Sequence, residues 1–189
     1  MKALKTPLRY PGGKSRACTK MDQFLPDLNR YKEFREPFLG GGSVALHIIK
    51  KYPHLEIWVN DLYEPLINFW TELQKDGLTL KNELTNLKIA HCNQDSARCL
   101  FDVMKETVND KTKTDLDRAV AFYVVNKCSF SGLTESSSFS AQASDSNFSM
   151  RGIEKLPEYQ EIISNWHINS YSYEHLLGYK PHDGLFMYL

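Results

Sequence analysis

Three consecutive glycines, Gly40, Gly41 and Gly42, join the segment EFREPFL to the segment SVALHIIKK. Glycines at such a junction let the backbone turn tightly and come close to a bound group, and a following helix would present free N–H groups in its first turn. Asp61 ends the next apolar segment, EIWVN. A carboxylate at a strand end can accept both hydroxyls of a ribose. Loop, helix, strand and acid in this order point to a nucleoside site. The spacing Gly40-x-Gly42-x-x-Ala45 also fits a dinucleotide fingerprint, so an NAD-dependent dehydrogenase competes for the same residues. The segment leading into the loop weakens that reading. It carries Glu33, Arg35, Glu36 and Pro37, where a dinucleotide fold has an apolar strand. Glu36 would repel a pyrophosphate but tolerate a cation, such as the sulfonium and ammonium of S-adenosylmethionine.

Other residues with chemical potential fall away. Gly13-Lys14-Ser15 resembles the tail of a phosphate-binding P-loop, but that motif needs a glycine where Leu8 stands. Cys18, Cys92, Cys99 and Cys128 fit neither a paired metal pattern nor a disulfide framework, and the histidines lack ligand spacing. No metal is expected. No long apolar run or signal-peptide centre occurs, so the reading is a soluble cytoplasmic protein with no membrane partner. The 23 basic and 23 acidic residues cancel, which argues weakly against nucleic acid. Their distribution argues the other way, because Lys2, Lys5, Arg9, Lys14, Arg16 and Lys20 all precede the first acid, Asp22. Such a block can follow phosphates.

The elements that must position these residues begin as an α/β alternation. Strands are expected at 33–39 and 56–60 with a helix at 43–51 between them, which predicts a parallel sheet covered by helices. Helical periodicity then fills 62–75, 78–90, 97–108 and 116–125, the last opened by a capping-box pair, Thr114 and Asp117. Residues 126–152 are serine-rich and read as a loop, punctuated by Phe130, Phe139 and Phe148. Disordered linkers are poor in aromatics, and hydroxyls interleaved with aromatics suit contacts to a nucleic-acid backbone and its bases. A short helix near 158–164, a strand at 166–171, a turn at 179–184 and the apolar run LFMYL at 185–189 complete the chain. That run reads as a central, two-sided buried strand.

The order YPGGK, EPFLGGGSV, VNDLYEPL, FYVVNKCSFSGL resembles the Dam-like (D12) class of DNA adenine-N6 methyltransferases. The resemblance implies a Rossmann-like S-adenosylmethionine methyltransferase fold with a helical DNA-recognition insertion. On that division, residues 1–62 belong to the cofactor-binding part, 63–157 to the insertion, and 158–189 to the return of the methyltransferase domain. It places Tyr10, Lys14, Phe38, Gly40, Gly42 and Asp61 at the cofactor. It places Arg9, Asn126, Phe130 and Ser131 at double-stranded DNA, Phe130 being the candidate wedge beside a flipped adenine. An arginine at position 9 could bond guanine or a phosphate.

In that class the acceptors for the adenine amino group come from an Asp-Pro-Pro-Tyr motif after the fourth strand. No such tetrapeptide occurs in these 189 residues. The expectation is a fragment with a sheet incomplete at the C-terminus, lacking catalytic residues and inactive alone, with a complementing C-terminal segment as its partner. A non-catalytic DNA-binding subunit is the alternative outside enzymes.

Overall fold

A computed structural model of the chain describes residues 5–134, 136–178 and 182–189. Among them, four strands form one parallel sheet: β1 (Glu33–Glu36), β2 (Glu56–Asn60), β3 (Trp166–Asn169) and β4 (Leu185–Met187). Their order is β3-β2-β1-β4, with Glu33 opposite both Glu56 and Leu185. The chain therefore steps outward from β1 through β2 to β3 and returns to the other side of β1. This reversal makes the gap beyond the carboxyl ends of β1 and β4 a topological switch point, where open α/β sheets bind ligands.

After the short α1 (Cys18–Met21), α2 (Ser43–Lys51) has the bounds its periodicity predicts. So does β2. The helical middle is α3 (Glu64–Ala90), α4 (Gln94–Thr107) and α5 (Asp115–Cys128). The two helices expected at 62–75 and 78–90 are one element broken at Asp76, whose φ of −153° and ψ of 81° are not helical. The freed N–H of Gly77 donates to Gln160 Oε1 at 3.0 Å. The Thr114–Asp117 capping box opens α5 as expected. Phe34, Leu46, Ile48, Ile57, Phe69, Trp70 and Tyr123 are among the side chains of one core shared by sheet and helices.

Four expectations change. Residues 126–152 are not a loop: α5 runs on to Cys128, and α6 (Ala141–Ser146) and α7 (Met150–Ile153) follow. Ser140 and Ser149 are their N-caps, so serines that suggested a linker are helix starts. The strand expected at 166–171 ends at Asn169, and a helix α9 (Tyr173–Gly178) follows it, while α8 (Leu156–Ile163) lies near its expected place. Of the apolar run at 185–189, Leu185–Met187 form the half-buried edge strand β4, which among the described residues pairs only with β1, and Leu189 is exposed. Finally, β1 stops at Glu36 because Pro37 lacks a ladder donor. Part of the turn expected at 179–184 lies outside the described residues, as do Lys2 and Glu135.

Candidate active site

Beyond the carboxyl ends of β1 and β4 lies an open cavity of about 250 Å³, bounded by Tyr10, Lys14, Glu36, Phe38, Gly40 and Tyr188, among others. The glycine loop shapes it through close packing. Gly40 and Gly42 have φ of +51° and +68°, a region most side chains avoid. A Cβ on Gly40 would lie 2.8 Å from the Tyr10 ring, and one on Gly42 would lie 2.7 Å from Trp70. The close approach the glycines permit is thus to Tyr10 and Trp70. The Thr6 hydroxyl donates to the Gly41 carbonyl, and Ser15 and Ser43 hydroxyls meet at 2.8 Å, so the opening segment is fastened along the whole loop.

Glu36 decides what charge the cavity accepts. Its side chain is buried, and Oε2 accepts the Ala45 N–H at 2.9 Å in the first turn of α2. An N–H that a helix N-terminus offers to ligands is thus already taken by the protein's own carboxyl group. Burial, reinforced by nearby Asp61, pushes the Glu36 carboxyl up to about 8. A cation placed beside it would relieve that cost, whereas a pyrophosphate would add to it. These residues fit the cationic S-adenosylmethionine better than a dinucleotide.

Asp61 bridges the ends of β1 and β2. Oδ2 accepts the Gly40 N–H at 2.9 Å and Oδ1 accepts the Tyr63 N–H at 3.0 Å. Phe38 is 56 % exposed and packs against Tyr173, ring centroids 5.4 Å apart. Lys14 lies on the cavity wall with Nζ donating to the Gly12 carbonyl at 3.2 Å. Sequence reasoning missed Tyr188, which lines the cavity. The pairing of β4 beside β1 is the signal for Tyr188, since residues that follow adjacent parallel strands wall the same crevice.

The DNA-side candidates gather around the end of α5. Asn126 is 1 % exposed, and its amide is fully engaged: Oδ1 accepts the Arg9 N–H, and Nδ2 donates to the Arg9 and Gly132 carbonyls. In this structure it fastens the loop after α5 to the opening segment, with all its amide groups used internally. Arg9 donates from Nη1 to the Ser129 carbonyl at 2.6 Å, covering an orphan carbonyl at the helix end. A Cβ on Gly132 would fall 2.7 Å from the Arg9 carbonyl oxygen.

The loop itself is closed by a bridge between Ser129 and Phe139, with the Phe130 N–H donating to the Ser138 carbonyl. Phe139 and Phe148 turn inward, Phe148 being fully buried. Phe130 turns outward and is 65 % exposed. Ser131 beside it holds a φ of +56°, rare for a non-glycine residue. A second open cavity of about 350 Å³ lies between Tyr10, Pro11, Tyr63, Gly132 and Leu133. The N-terminal basic block does not form one stripe: Lys5, Arg9 and Lys14 point to three separate environments. The cysteines form no disulfide, and no group suited to a metal occurs among the described residues. No described helix is long and apolar enough to cross a membrane.

Among known sequences that resemble the chain are two methyltransferases. The chain is 26% identical over 134 residues to the type II methyltransferase M.MjaIII of Methanocaldococcus jannaschii, covering 67% of this chain and 46% of that protein. It is 29% identical over 126 residues to the DNA N-6-adenine-methyltransferase of Escherichia phage P1, covering 67% of this chain and 15% of that protein. The matched region thus spans less than half of either relative. None of this supports the dehydrogenase reading. A profile of the D12 class N6 adenine-specific DNA methyltransferases matches residues 10–189, and the chain belongs to that family.

Proposed function

We propose that these residues form the donor-binding and DNA-contacting part of an enzyme that methylates adenine N6 in DNA from S-adenosylmethionine. The observation that carries the reading is the shared wall of the two cavities. Tyr10 and Pro11 line both the cavity at the glycine loop and the cavity at the recognition loop. Methyl transfer needs donor and acceptor atoms at near contact, about 3–3.5 Å, which adjoining cavities permit. Bound S-adenosylmethionine would supply an electrophilic methyl group.

This chain's residues bind and orient. Glu36 favours the cofactor's positive charge, Asp61 accepts from its ribose, and Phe38 with Tyr173 offers an apolar rim for its base. Residues 63–157 serve as the DNA-facing portion. Phe130 fills the gap left by a flipped adenine, with Ser131 beside it, and the second cavity receives the base. Arg9 keeps N–H groups beyond its bond to Ser129 that can meet a phosphate. Adenine N6 needs an acceptor beside its amino group before it can attack, and no Asp-Pro-Pro-Tyr occurs in the 189 residues. The 189-residue chain alone is therefore proposed to bind without transferring methyl, and a segment carrying that motif is its proposed complement.

Calorimetric titration of the chain with S-adenosylmethionine and with NAD tests the donor. S-adenosylmethionine should bind and NAD should not. Asp61→Ala should weaken S-adenosylmethionine binding by about 1.5–3 kcal/mol, the scale of lost charge-assisted hydrogen bonds. An unchanged dissociation constant would remove Asp61 from the site.

A further inference from the structure

A third cavity, about 450 Å³, lies apart from the two described above. The side chains around it include Lys5, Lys127, Arg151, Lys155, Asn147 and Ser149, and none of its lining residues is acidic. None of its four cationic side chains takes part in an ion pair identified among the described residues. We propose that this cavity binds a backbone phosphate of the duplex outside the methylation site.

Three observations carry the inference. The first is the gathering of charge: four cations, none in an ion pair identified among the described residues, converge on one concavity, a disposition suited to a phosphodiester. The second is Lys127. It is only 8 % exposed, and the partner found for its ammonium is the Tyr123 ring, 5.1 Å from Nζ to centroid. Burial lowers its basicity to about 8, so an arriving anion would relieve a cost already present. The third is continuity with the recognition machinery. Lys5 heads the segment that leads through Arg9 to Tyr10, and Tyr159 fastens it by donating to the Lys5 carbonyl. Lys127 lies in the last turn of the helix that carries the recognition loop. Ser149 accepts the Gly152 N–H as an N-cap, and its own hydroxyl proton remains for a ligand oxygen.

The inference rests on duplex DNA being the partner, and its test separates the two. Fluorescence anisotropy of the chain on a labelled duplex, repeated over a salt series, is compared for wild type and Arg151→Ala/Lys155→Ala. Both side chains are exposed, so the variant should fold normally, with S-adenosylmethionine affinity unchanged as the check. The expected result is weaker binding, equal for any sequence, with the log–log salt slope reduced by roughly 1 to 2. A Lys81→Ala/Lys113→Ala variant, with the same charge loss elsewhere, should change the slope less. An unchanged slope in the cavity variant overturns this inference alone. Absence of DNA binding by the wild type overturns it together with the proposed function. Calorimetry with pyrophosphate is the remaining arm. Micromolar pyrophosphate binding that the variant loses, with duplex binding intact, would assign the cavity to a free phosphate compound and overturn the inference.

Discussion

Glu36 and Phe130 are unusual side chains for opposite reasons. Glu36 is an acid held away from water, and its carboxyl lies near 8 against an ordinary 4.5. Below 4.5 folded and unfolded chains both hold the proton, and its contribution to stability is fully present. Between 4.5 and 8 the unfolded chain releases it while the folded chain keeps it, so stability falls as pH rises through that window. Thermal melts of the unliganded protein from pH 5 to 8.5 should show this decline, and Glu36→Gln should flatten part of it. A slope unaffected by the substitution would show that Glu36 is not its source. Binding of a cation beside Glu36 should release a proton near neutral pH, visible as a buffer-dependent calorimetric enthalpy. Phe130 is a large apolar ring left 65 % exposed beside a strained serine. Phe130→Ala should change stability by no more than about 0.5 kcal/mol, as exposed substitutions do. It should nevertheless weaken fluorescence of an adenine analogue that reports base flipping, in a chain carrying the complete catalytic motifs. Unaltered flipping would leave the exposed ring without a role at the DNA.

At the scale of elements, bounds were legible where several local signals agree and illegible where one residue type carries two meanings. Helix α2 and strand β2 match their expected bounds because periodicity, glycine and the terminal polar residues agree. The serine-rich stretch misled because a serine that caps a helix and one that loosens a linker look alike in composition. Only the partner N–H tells them apart, as Ala143 does for Ser140. The glycines at 40–42 were legible as a tight loop, but not as a seat for Tyr10, which comes from far upstream. Asn126 was legible as special, yet its hydrogen bonds cross to Arg9 and cannot be read from local sequence. The break in α3 shows a similar long-range origin. Gln160 accepts from the Gly77 N–H and donates to the Lys75 carbonyl at 3.2 Å, satisfying both sides of the break. Gln160→Ala should cost about 1–3 kcal/mol, because groups at the break would lose their partners. Chemical denaturation with an unchanged slope against denaturant is the measurement, and a loss below 0.5 kcal/mol would mean water replaces Gln160 freely.

Across the molecule, one segment links the glycine loop to the loop that follows α5. Residues 5–14 touch the glycine loop through Thr6 and Tyr10, and touch the end of α5 through Arg9 and Asn126. Neither cavity can reshape its Tyr10–Pro11 wall without altering the other. Cofactor and duplex should therefore bind with a shared coupling free energy. By linkage, the factor by which S-adenosylmethionine raises duplex affinity must equal the factor by which duplex raises cofactor affinity, and such factors typically lie between about 5 and 150. The contact that would carry such an effect is that of Gly132 with Arg9. The +76° φ of Gly132 and its approach to the Arg9 backbone leave no room for a Cβ. Gly132→Ala should push the loop after α5 off the opening segment, while the hydrogen bond between Gly40 and Asp61, made without Gly132, persists. The expected outcome is cofactor affinity near wild type in the absence of DNA, duplex affinity reduced, and the coupling factor falling toward 1. Paired titrations, each ligand measured with and without a saturating amount of the other, give all three quantities. A variant that keeps the full coupling while losing duplex affinity would show that the two sites communicate by another route, and Gly132 would then be only a packing glycine.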